Sequence, residues 1–496
     1  MKRRTFIGTS IAASAAQRIA HADVGAAASQ NWDYIIIGAG TAGLPAAIFA
    51  SRRGARVLVI DAADKIGGTL HLAGGEISGA GTTAQAAKGI VDHPDIHFAD
   101  VMRLSHGTAD PDVSRLAVDN GGETLNWLLT GGLVPLAEHP VTGEGLDDHG
   151  YSVARYLWGK NGGRDLLAVI DRQFTPLVAA GRITLLLNSR VAELLPSGAG
   201  IGGVRVGSDE IKGRHIILTT GGYAMNPEVF ERMVGQPAYA AGSYPQSQGD
   251  GLQLATAVGA ALRGRALHRP GTGSIMTDEK FPASTYARFN TVPEKRPPWE
   301  IWVNNLGQRF IREDASNAYT LSCALFGLPR LRYTIVFDEA ILREAPVGIP
   351  GWTADKIRQH CGTHPMFHSA DTLDELAAKA GIAAGGLTNS VTAFNAAAHS
   401  QGGDSFGRVH MPRAIATPPY YAIIHLGHSA TSSTGVVVDR DLRVMSAEQR
   451  PIPGLYAAGE VLGSGVTLGN AFVPGMMLTP AMTFGRLLGQ RLPLTA

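Results

Sequence analysis

Asp33-Tyr-Ile-Ile-Ile-Gly-Ala-Gly-Thr-Ala-Gly43, followed by Val57-Leu-Val-Ile-Asp61, is the stretch that decides the fold. An apolar run breaks into three glycines at G-x-G-x-x-G spacing, and a second apolar run ends in an acid. This order predicts a strand, a tight turn, a helix and a parallel strand. Asp61 lies 18 residues after Gly43, near the ~20 expected of an acid that binds a ribose. The stretch therefore predicts a cofactor that contains ADP.

Two further glycine-rich segments indicate which cofactor this is. Asp61-Ala-Ala-Asp-Lys-Ile-Gly-Gly68-Thr69 follows the second strand, and Ile452-Pro-Gly-Leu-Tyr-Ala-Ala-Gly-Glu460 lies near the C-terminus. Together with the first stretch they resemble the FAD-dependent oxidoreductases of the fumarate reductase, flavocytochrome c and 3-ketosteroid dehydrogenase superfamily. Other matching segments, in the order of that family, are 219–226, 248–255, 307–313, 371–381 and 480–485. The resemblance covers nearly everything after the first thirty residues.

The resemblance implies an α/β fold, in which a Rossmann-like FAD-binding domain is interrupted by an inserted α+β capping domain. The expected divisions are 23–264 for the first part of the FAD-binding domain, 265–428 for the capping (substrate) domain and 429–496 for the second part. The run from Asp371 to Lys379 predicts a helix, with Asp371 or Thr372 as its N-cap and Gly381 past its end. A hinge between the domains would admit substrate and then exclude water.

The resemblance also implies a set of cofactor contacts. The glycines of the G-x-G-x-x-G motif are expected to bind the pyrophosphate, and Asp61, Lys65 and Val191 the adenosine. The segment that follows Asp61 is expected to run along the phosphate and the ribityl chain. A second glycine pair and the start of the last helix are expected to contact the flavin ring. The residues assigned are Gly38, Gly40, Gly43, Asp61, Lys65, Gly67, Gly68, Thr69, Gly74, Gly75, Val191, Gly459, Glu460, Gly475, Met477 and Leu478. Some relatives bind flavin covalently through a histidine before the glycine pair. Counted back from Gly74, His71 does not fall there, so FAD is expected to be non-covalent.

The catalytic positions depart from both family patterns. Fumarate reductases use an arginine after the R-F-x-x-E motif and a histidine in H-T-M-G-G, but this chain has Asp314-Ala-Ser-Asn-Ala-Tyr319 and Thr431-Ser-Ser-Thr-Gly435 there. Ketosteroid dehydrogenases use two tyrosines, and here Tyr319 lies two residues late while Ala471-Phe472 occupies the second place. Without the family's charges, fumarate itself is not the expected substrate.

Making or breaking a C–C double bond beside a carbonyl needs hydride transfer at flavin N5, proton transfer at the neighbouring carbon and an electrophile for the enolate. Tyr319 is the first candidate for proton transfer, with its pKa expected to be lowered by Arg309 or Arg312. The other catalytic candidates are His268, His428, Arg309 and Arg155. An ordinary packing or surface role is the alternative for each of them.

The N-terminus begins Lys2-Arg3-Arg4-Thr5-Phe6 and continues to Ala20-His21-Ala22, which is typical of a twin-arginine signal peptide over residues 1–22. It predicts a periplasmic location, and no segment is long and apolar enough to predict a transmembrane helix. A net charge of +1 does not indicate the excess of basic residues that is typical of nucleic-acid-binding proteins. Two cysteines and no C-x-x-C-H predict no disulfide framework, metal or haem site.

Three functions remain open at this stage. The first is oxidation or reduction of a C–C bond beside the carbonyl of a ketosteroid-like, cyclic ketone or similar small-molecule substrate. The second is reduction of an unsaturated carboxylate, with electrons from a cytochrome or quinone partner. The third is a non-catalytic flavin-binding protein. Apolar Phe472, Met476 and Met477 near the expected flavin position favour the less charged substrate of the first function.

Overall fold

The computed structural model describes residues 23–143, 150–239, 242–400 and 403–494. The predicted signal peptide lies outside these residues. The helices are α1 (Val24–Ala28), α2 (Gly43–Arg52), α3 (Thr83–Ala86), α4 (Pro94–Leu104), α5 (Pro111–Thr130), α6 (Gly163–Ala179), α7 (Pro227–Val234), α8 (Asp250–Ala257), α9 (Ala318–Phe326), α10 (Glu339–Glu344), α11 (Ala354–His360), α12 (Leu373–Ala380), α13 (Ala384–Ala398), α14 (Gly465–Leu468) and α15 (Leu478–Arg491).

The strands are interspersed with these helices along the chain. They are β1 (Asn31–Ile37), β2 (Val57–Ile60), β3 (Ile77–Ser78), β4 (Tyr156–Leu157), β5 (Ile183–Leu186), β6 (Val191–Ser197), β7 (Gly200–Val206), β8 (Asp209–Leu218), β9 (Leu262–Arg263), β10 (Ser274–Met276), β11 (Thr285–Arg288), β12 (Ile301–Val303), β13 (Arg332–Asp338), β14 (Phe367–Ala370), β15 (Tyr420–Leu426), β16 (Gly435–Val436), β17 (Arg443–Met445) and β18 (Pro451–Ala457).

The larger sheet has the order β17-β18-β8-β1-β2-β5, with the β6–β7 hairpin attached to β8. From β18 to β5 neighbouring strands are parallel, with Ile37 of β1 opposite Ile60 of β2 and Leu218 of β8. β2, nearly all of β1 and the last four residues of β8 are buried, and β2 and the ends of β1 and β8 are continuous apolar runs rather than alternating ones, as expected of strands covered on both faces. The α/β expectation is confirmed, and β1, α2 and β2 lie where the opening stretch predicts them.

A second, antiparallel sheet has the order β12-β13-β15-β14, and the β10–β11 hairpin lies beside it. Buried apolar side chains form two clusters, one around each sheet. The first takes its members from residues 27–255 and 436–492, and the second from residues 239–426. The segment between the two halves of the first cluster thus has a core of its own. The division at residues 264 and 428 into FAD-binding and capping domains remains a prediction.

The capping of α12 shows how local chemistry sets the limits of a helix. Thr372 lies in extended conformation before the first turn, and its hydroxyl accepts a hydrogen bond from the N–H of Glu375. Gly381 ends the helix in the left-handed conformation, which costs glycine little. Of the two N-caps that the sequence predicted, Thr372 is the one used. Among the described residues, no helix has the length and apolarity needed to cross a bilayer.

Candidate active site

A cavity of about 670 Å³ opens where the parallel strands end. Ile37, Ile60 and Thr219, at or just after the carboxyl ends of β1, β2 and β8, lie in its wall. Its volume falls within the ~300–1,000 Å³ usual for small-molecule and cofactor sites. Cofactors bind at this edge of doubly wound sheets because the strand order reverses there and leaves a crevice.

The glycine turn after β1 forms one side of the cavity. Gly38 has a φ of +111°, and a Cβ there would overlap the carbonyl of Thr219. A Cβ on Gly43 would overlap the carbonyl of Gly38, so this glycine serves the contact between helix and turn. Gly40 lies in the cavity wall, and α2 starts with Ala42 as an N-cap that offers no side-chain acceptor. The turn and helix start therefore fit a pyrophosphate.

Asp61 lies at the end of β2 and fixes this turn. Its carboxylate accepts the N–H of Ala39 at 2.6 Å and the N–H of Ala63 at 2.7 Å. Burial raises the pKa of Asp61, although both hydrogen bonds favour the charged form. Nearby in the wall, Arg190 forms an ion pair with Asp250. Val191, at the start of β6, is also in the wall, so the residues predicted to bind the adenosine come together here, except Lys65.

The other end of the cavity is formed by the C-terminal part of the chain. Glu460 is in the wall, accepts the N–H of Ser432 at 2.9 Å and has its pKa raised by burial. Gly475, with a φ of +74°, lies against the backbone of Ser78 and leads into α15. This helix has Met477 as its N-cap, without a side-chain hydrogen bond. Thr479 donates its N–H to Gly475 and Pro480 has none, so the N–H of Leu478 is the one in the first turn that fits the polar edge of a flavin ring, whose reduced form is anionic.

Most of the predicted cofactor residues lie in the wall of this one cavity. These are Gly38, Gly40, Asp61, Gly68, Thr69, Gly74, Val191, Gly459, Glu460, Gly475, Met477 and Leu478. The structure places the remaining four behind or beside it. Gly67 packs on Leu167, Gly75 packs on the backbone of Gly162, Gly43 packs on Gly38, and Lys65 is exposed. Direct contact of the cofactor with each named residue remains a prediction.

His71 does not line the cavity. One ring nitrogen, Nε2, lies 2.9 Å from the carbonyl oxygen of Ile66, and the side chain is half-buried. Gly67 lies against this ring, since a Cβ there would come within 2.9 Å of the same nitrogen. The imidazole thus serves the local turn. Non-covalent attachment of FAD remains a prediction.

The five catalytic candidates are all outside the cavity wall. Arg155 is fully buried and binds Asp92 through two nitrogens at 2.8 Å and Asp100 at 2.5 Å. Arg309 binds Glu313 at 2.6 Å and also pairs with Asp404. Both guanidinium groups are held by carboxylates inside a core. The structure does not bring either of them to the site.

Tyr319 does not have the lowered pKa that the sequence predicted. It stacks on His106, with ring centroids 3.9 Å apart, and burial together with Cys323 raises its pKa. Arg309 is occupied by its two carboxylates, and the cation that acts on the phenol is Arg269, whose effect is too small to reverse the shift. The expected activation by Arg309 or Arg312 is therefore wrong.

His268 and His428 lie on the two segments that connect the cores. Nε2 of His268 is 3.3 Å from the hydroxyl of Ser429, and Nδ1 of His428 is 2.8 Å from the hydroxyl of Ser274. Burial lowers the pKa of His268 to about 3 and that of His428 to about 4. Both rings are therefore neutral at pH 7. The backbones of Gly271 and His428 form a β-bridge that joins the two connecting segments.

Several residues in the wall were not among the predicted site residues. Arg288, at the end of β11, comes from the second core, and Glu76 comes from the first. Thr431 is also in the wall, and its hydroxyl lies 3.3 Å from that of Ser464. Glu76 directly follows the predicted glycine pair, so its position was a usable signal. The hairpin that carries Arg288 matches none of the family's motifs, so the sequence contained no signal that Arg288 lies in the cavity wall.

Comparisons with known proteins identify the family. A family model described as "FAD binding domain" matches residues 33–472. The "Fumarate reductase (cytochrome)" of Shewanella frigidimarina is 29% identical over 466 residues, which cover 92% of this chain and 76% of the relative. The "4-oxocyclohexanecarboxylate 2-dehydrogenase" of Sinomonas cyclohexanicum is 25% identical over 543 aligned positions, which cover 93% of this chain and 92% of the relative.

Among solved structures, the 3-ketosteroid Δ1-dehydrogenase of Sterolibacterium denitrificans is similar with a TM-score of 0.66 and 21% identity. The match covers 92% of this chain and 98% of that chain. This likeness concerns the fold. The chain belongs to the FAD binding domain family, within the superfamily of fumarate reductases and ketosteroid dehydrogenases. It is an FAD-dependent oxidoreductase that acts on CH–CH groups.

Proposed function

We propose that this enzyme oxidises or reduces a C–C bond beside the carbonyl of a small substrate that carries at most one carboxylate, such as a cyclic ketone. One observation carries the proposal. Away from the adenosine end, Arg288 is the only arginine or lysine among the described residues that line the cavity. A dicarboxylate would need several cations, because each buried carboxylate must be paired.

Other residues of the cavity wall also support a substrate of low charge. Phe472, Val473, Met477 and Leu478 provide apolar surface, and Thr431 and Ser464 add neutral hydroxyls to the wall. FAD, when bound, accepts or supplies the hydride. Arg288 binds the carbonyl oxygen and stabilises the negative charge that develops on it. The five candidates from the sequence lie behind the wall, so the proposal assigns them no direct contact with substrate.

The first test is an anaerobic titration of the flavin-loaded enzyme, followed by absorbance. Cyclohexanone and cyclohexanecarboxylate are compared with succinate, which differs by a second carboxylate. The proposal predicts bleaching by the ketone or the monocarboxylate and a much weaker response to succinate. Bleaching by succinate alone would refute it.

A second candidate is a reductase of an unsaturated monocarboxylate, with a cytochrome or quinone as electron donor. The favouring observation is again Arg288, since one guanidinium can bind one carboxylate in a bidentate manner. The twin-arginine pattern would place such an enzyme and its partner in the periplasm. Reoxidation of dithionite-reduced enzyme by acrylate, faster than by a matched enone, would favour this candidate over the first.

A further inference from the structure

The charged residues of the cavity divide into two groups. Six charged side chains line it, namely Asp61, Glu76, Arg190, Asp250, Arg288 and Glu460. Four of them have partners in the protein. Asp61 and Glu460 accept backbone N–H groups, and Arg190 and Asp250 form an ion pair. Each of these four is therefore held by the fold.

Glu76 and Arg288 differ from the other four. Neither side chain makes an ion pair or a hydrogen bond to another residue within the described part of the chain, and the two do not pair with each other. Glu76 lies between the glycine pair and β3, with its carboxylate over Gly74. The enclosing wall raises the pKa of its carboxyl, as expected of an acid that lacks a cation nearby. Both side chains are exposed and line the cavity, so each is available to a bound molecule.

The two side chains come from the segments that form the two different cores. Glu76 belongs to the first, and Arg288 belongs to the hairpin of the second, where it is opposite Ser274 in the strand pairing. Ser274 is bound to His428 on the segment that connects the cores. The end of the hairpin that carries Arg288 is thus held, through Ser274, to the segment that connects the two cores. Glu76 is held in place by β3 on one side and by the glycine pair on the other. A molecule that touches both spans the cavity from one core to the other.

We infer that Glu76 and Arg288 recognise the two ends of the substrate: Arg288 binds a carbonyl or carboxylate oxygen, and Glu76 accepts a hydrogen bond from a hydroxyl or amine elsewhere on the same molecule. The inference rests on the proposed function and narrows its substrate class. The substrate is a carbonyl compound that also carries a hydrogen-bond donor, rather than a plain ketone or a plain acid. Glu76 acts as a specificity residue that sets this second requirement.

The test uses two matched pairs of probes with the flavin-loaded enzyme: cyclohexanone with 4-hydroxycyclohexanone, and cyclohexanecarboxylate with 4-hydroxycyclohexanecarboxylate. Dissociation constants are read from the perturbation of flavin absorbance. In the wild type, the hydroxyl should tighten binding by at least about tenfold, the ratio expected of one hydrogen bond to a charged group. Glu76→Met should remove this gain. Arg288→Gln should weaken all four probes and keep the gain.

Melting temperature provides a readout that does not depend on the probe. Because neither side chain has a partner in the described protein, both variants should melt at or above the wild-type temperature. The matched controls are Glu231→Gln and Arg232→Gln, which are exposed on α7 and should change neither binding nor melting.

The inference is overturned if the hydroxyl gives no gain in the wild type, if none of the four probes binds, or if Glu76→Met keeps the gain. A marked fall in melting temperature for either variant would also contradict it. These outcomes are distinct from failure of the proposed function. An enzyme whose flavin is bleached equally by plain and hydroxylated ketones keeps the proposed function and loses this inference. An enzyme that responds to succinate alone loses both.

Discussion

Replacing Arg155 by methionine should destabilise the fold before it affects any chemistry. The guanidinium and the carboxylate of Asp92 have no exposed surface, and that of Asp100 is 4% exposed. Asp100 retains bonds from Arg103 and Ser152, and Asp92 retains bonds from Gln85 and from the N–H of His93. Breaking a buried pair costs about 3–5 kcal/mol, and these retained bonds place the expected loss of folding free energy near the lower limit, at about 3 kcal/mol.

The neighbouring aromatic ring adds to this expectation. Arg155 lies 4.8 Å from the ring centroid of Tyr151, whose hydroxyl donates to the carbonyl of Pro474, just before the turn that leads into α15. Loss of Arg155 should therefore also loosen this end of the cavity and weaken FAD binding. Arg155→Lys should recover only part of the stability, because an ammonium cannot bind Asp92 through two nitrogens in a fixed plane.

The assay is chemical denaturation of the loaded enzyme, with FAD content measured in parallel. Arg440→Met is the matched control: its ion pair with Asp112 is exposed to solvent, so its loss should change the stability far less than the loss of Arg155. Adding Asp92→Asn to Arg155→Met should restore part of the loss, since it removes a stranded charge. A variant Arg155→Met with wild-type stability and FAD content but no flavin reduction would refute the reasoning and return Arg155 to the catalytic residues.

Two further predictions concern the glycine turn and a buried histidine. Gly38→Ala should yield protein with little or no FAD, because a Cβ at this position, where φ is +111°, would overlap the carbonyl of Thr219. The control is Gly181→Ala, at a turn where φ is +68° and the space around the residue is open; this variant should retain FAD. Equal FAD content in the two variants would contradict the account. His428→Gln should flatten the loss of stability between pH 6.5 and 4. Burial lowers the pKa of His428 to about 4 in the folded protein. Between pH 6.5 and 4 the unfolded chain therefore binds a proton at this histidine that the folded chain does not bind. The free energy of unfolding falls in this range by up to about 1.4 kcal/mol per pH unit. Denaturation midpoints at pH 7 and 4.5 measure this difference, and an unchanged slope would show that His428 takes up its proton in the folded state.

The parts of the fold that were predicted correctly depend on short-range physics. The turn after β1 needs glycine at Gly38 for both its φ and its closeness to Thr219, and α12 begins and ends at residues that cap it locally. Such signals lie within a few residues of the structure they determine. They therefore identify the cofactor end of the cavity from the sequence.

The substrate end depends on contacts between distant parts of the chain, and there the sequence was a poor guide. Arg309 and Tyr319 are close in sequence, yet Arg309 pairs with Glu313 and Asp404 while Tyr319 stacks on His106. Arg288 reaches the cavity because its hairpin packs beside the second sheet. No motif spacing records that arrangement. Within the part of the chain that the structure describes, the absence of other side-chain partners distinguishes Arg288 and Glu76 from charged residues with a structural role.

The most direct test of the central claim is analysis of the product formed in one anaerobic turnover. Loaded enzyme is mixed with an equal amount of 4-hydroxycyclohexanone, and the organic fraction is examined by proton NMR and mass spectrometry. The account predicts a product lighter by two hydrogens, with new vinyl signals beside the carbonyl and reduced flavin in equal amount. Reduced flavin together with a product oxidised at the hydroxyl carbon, and no vinyl signal, would contradict it.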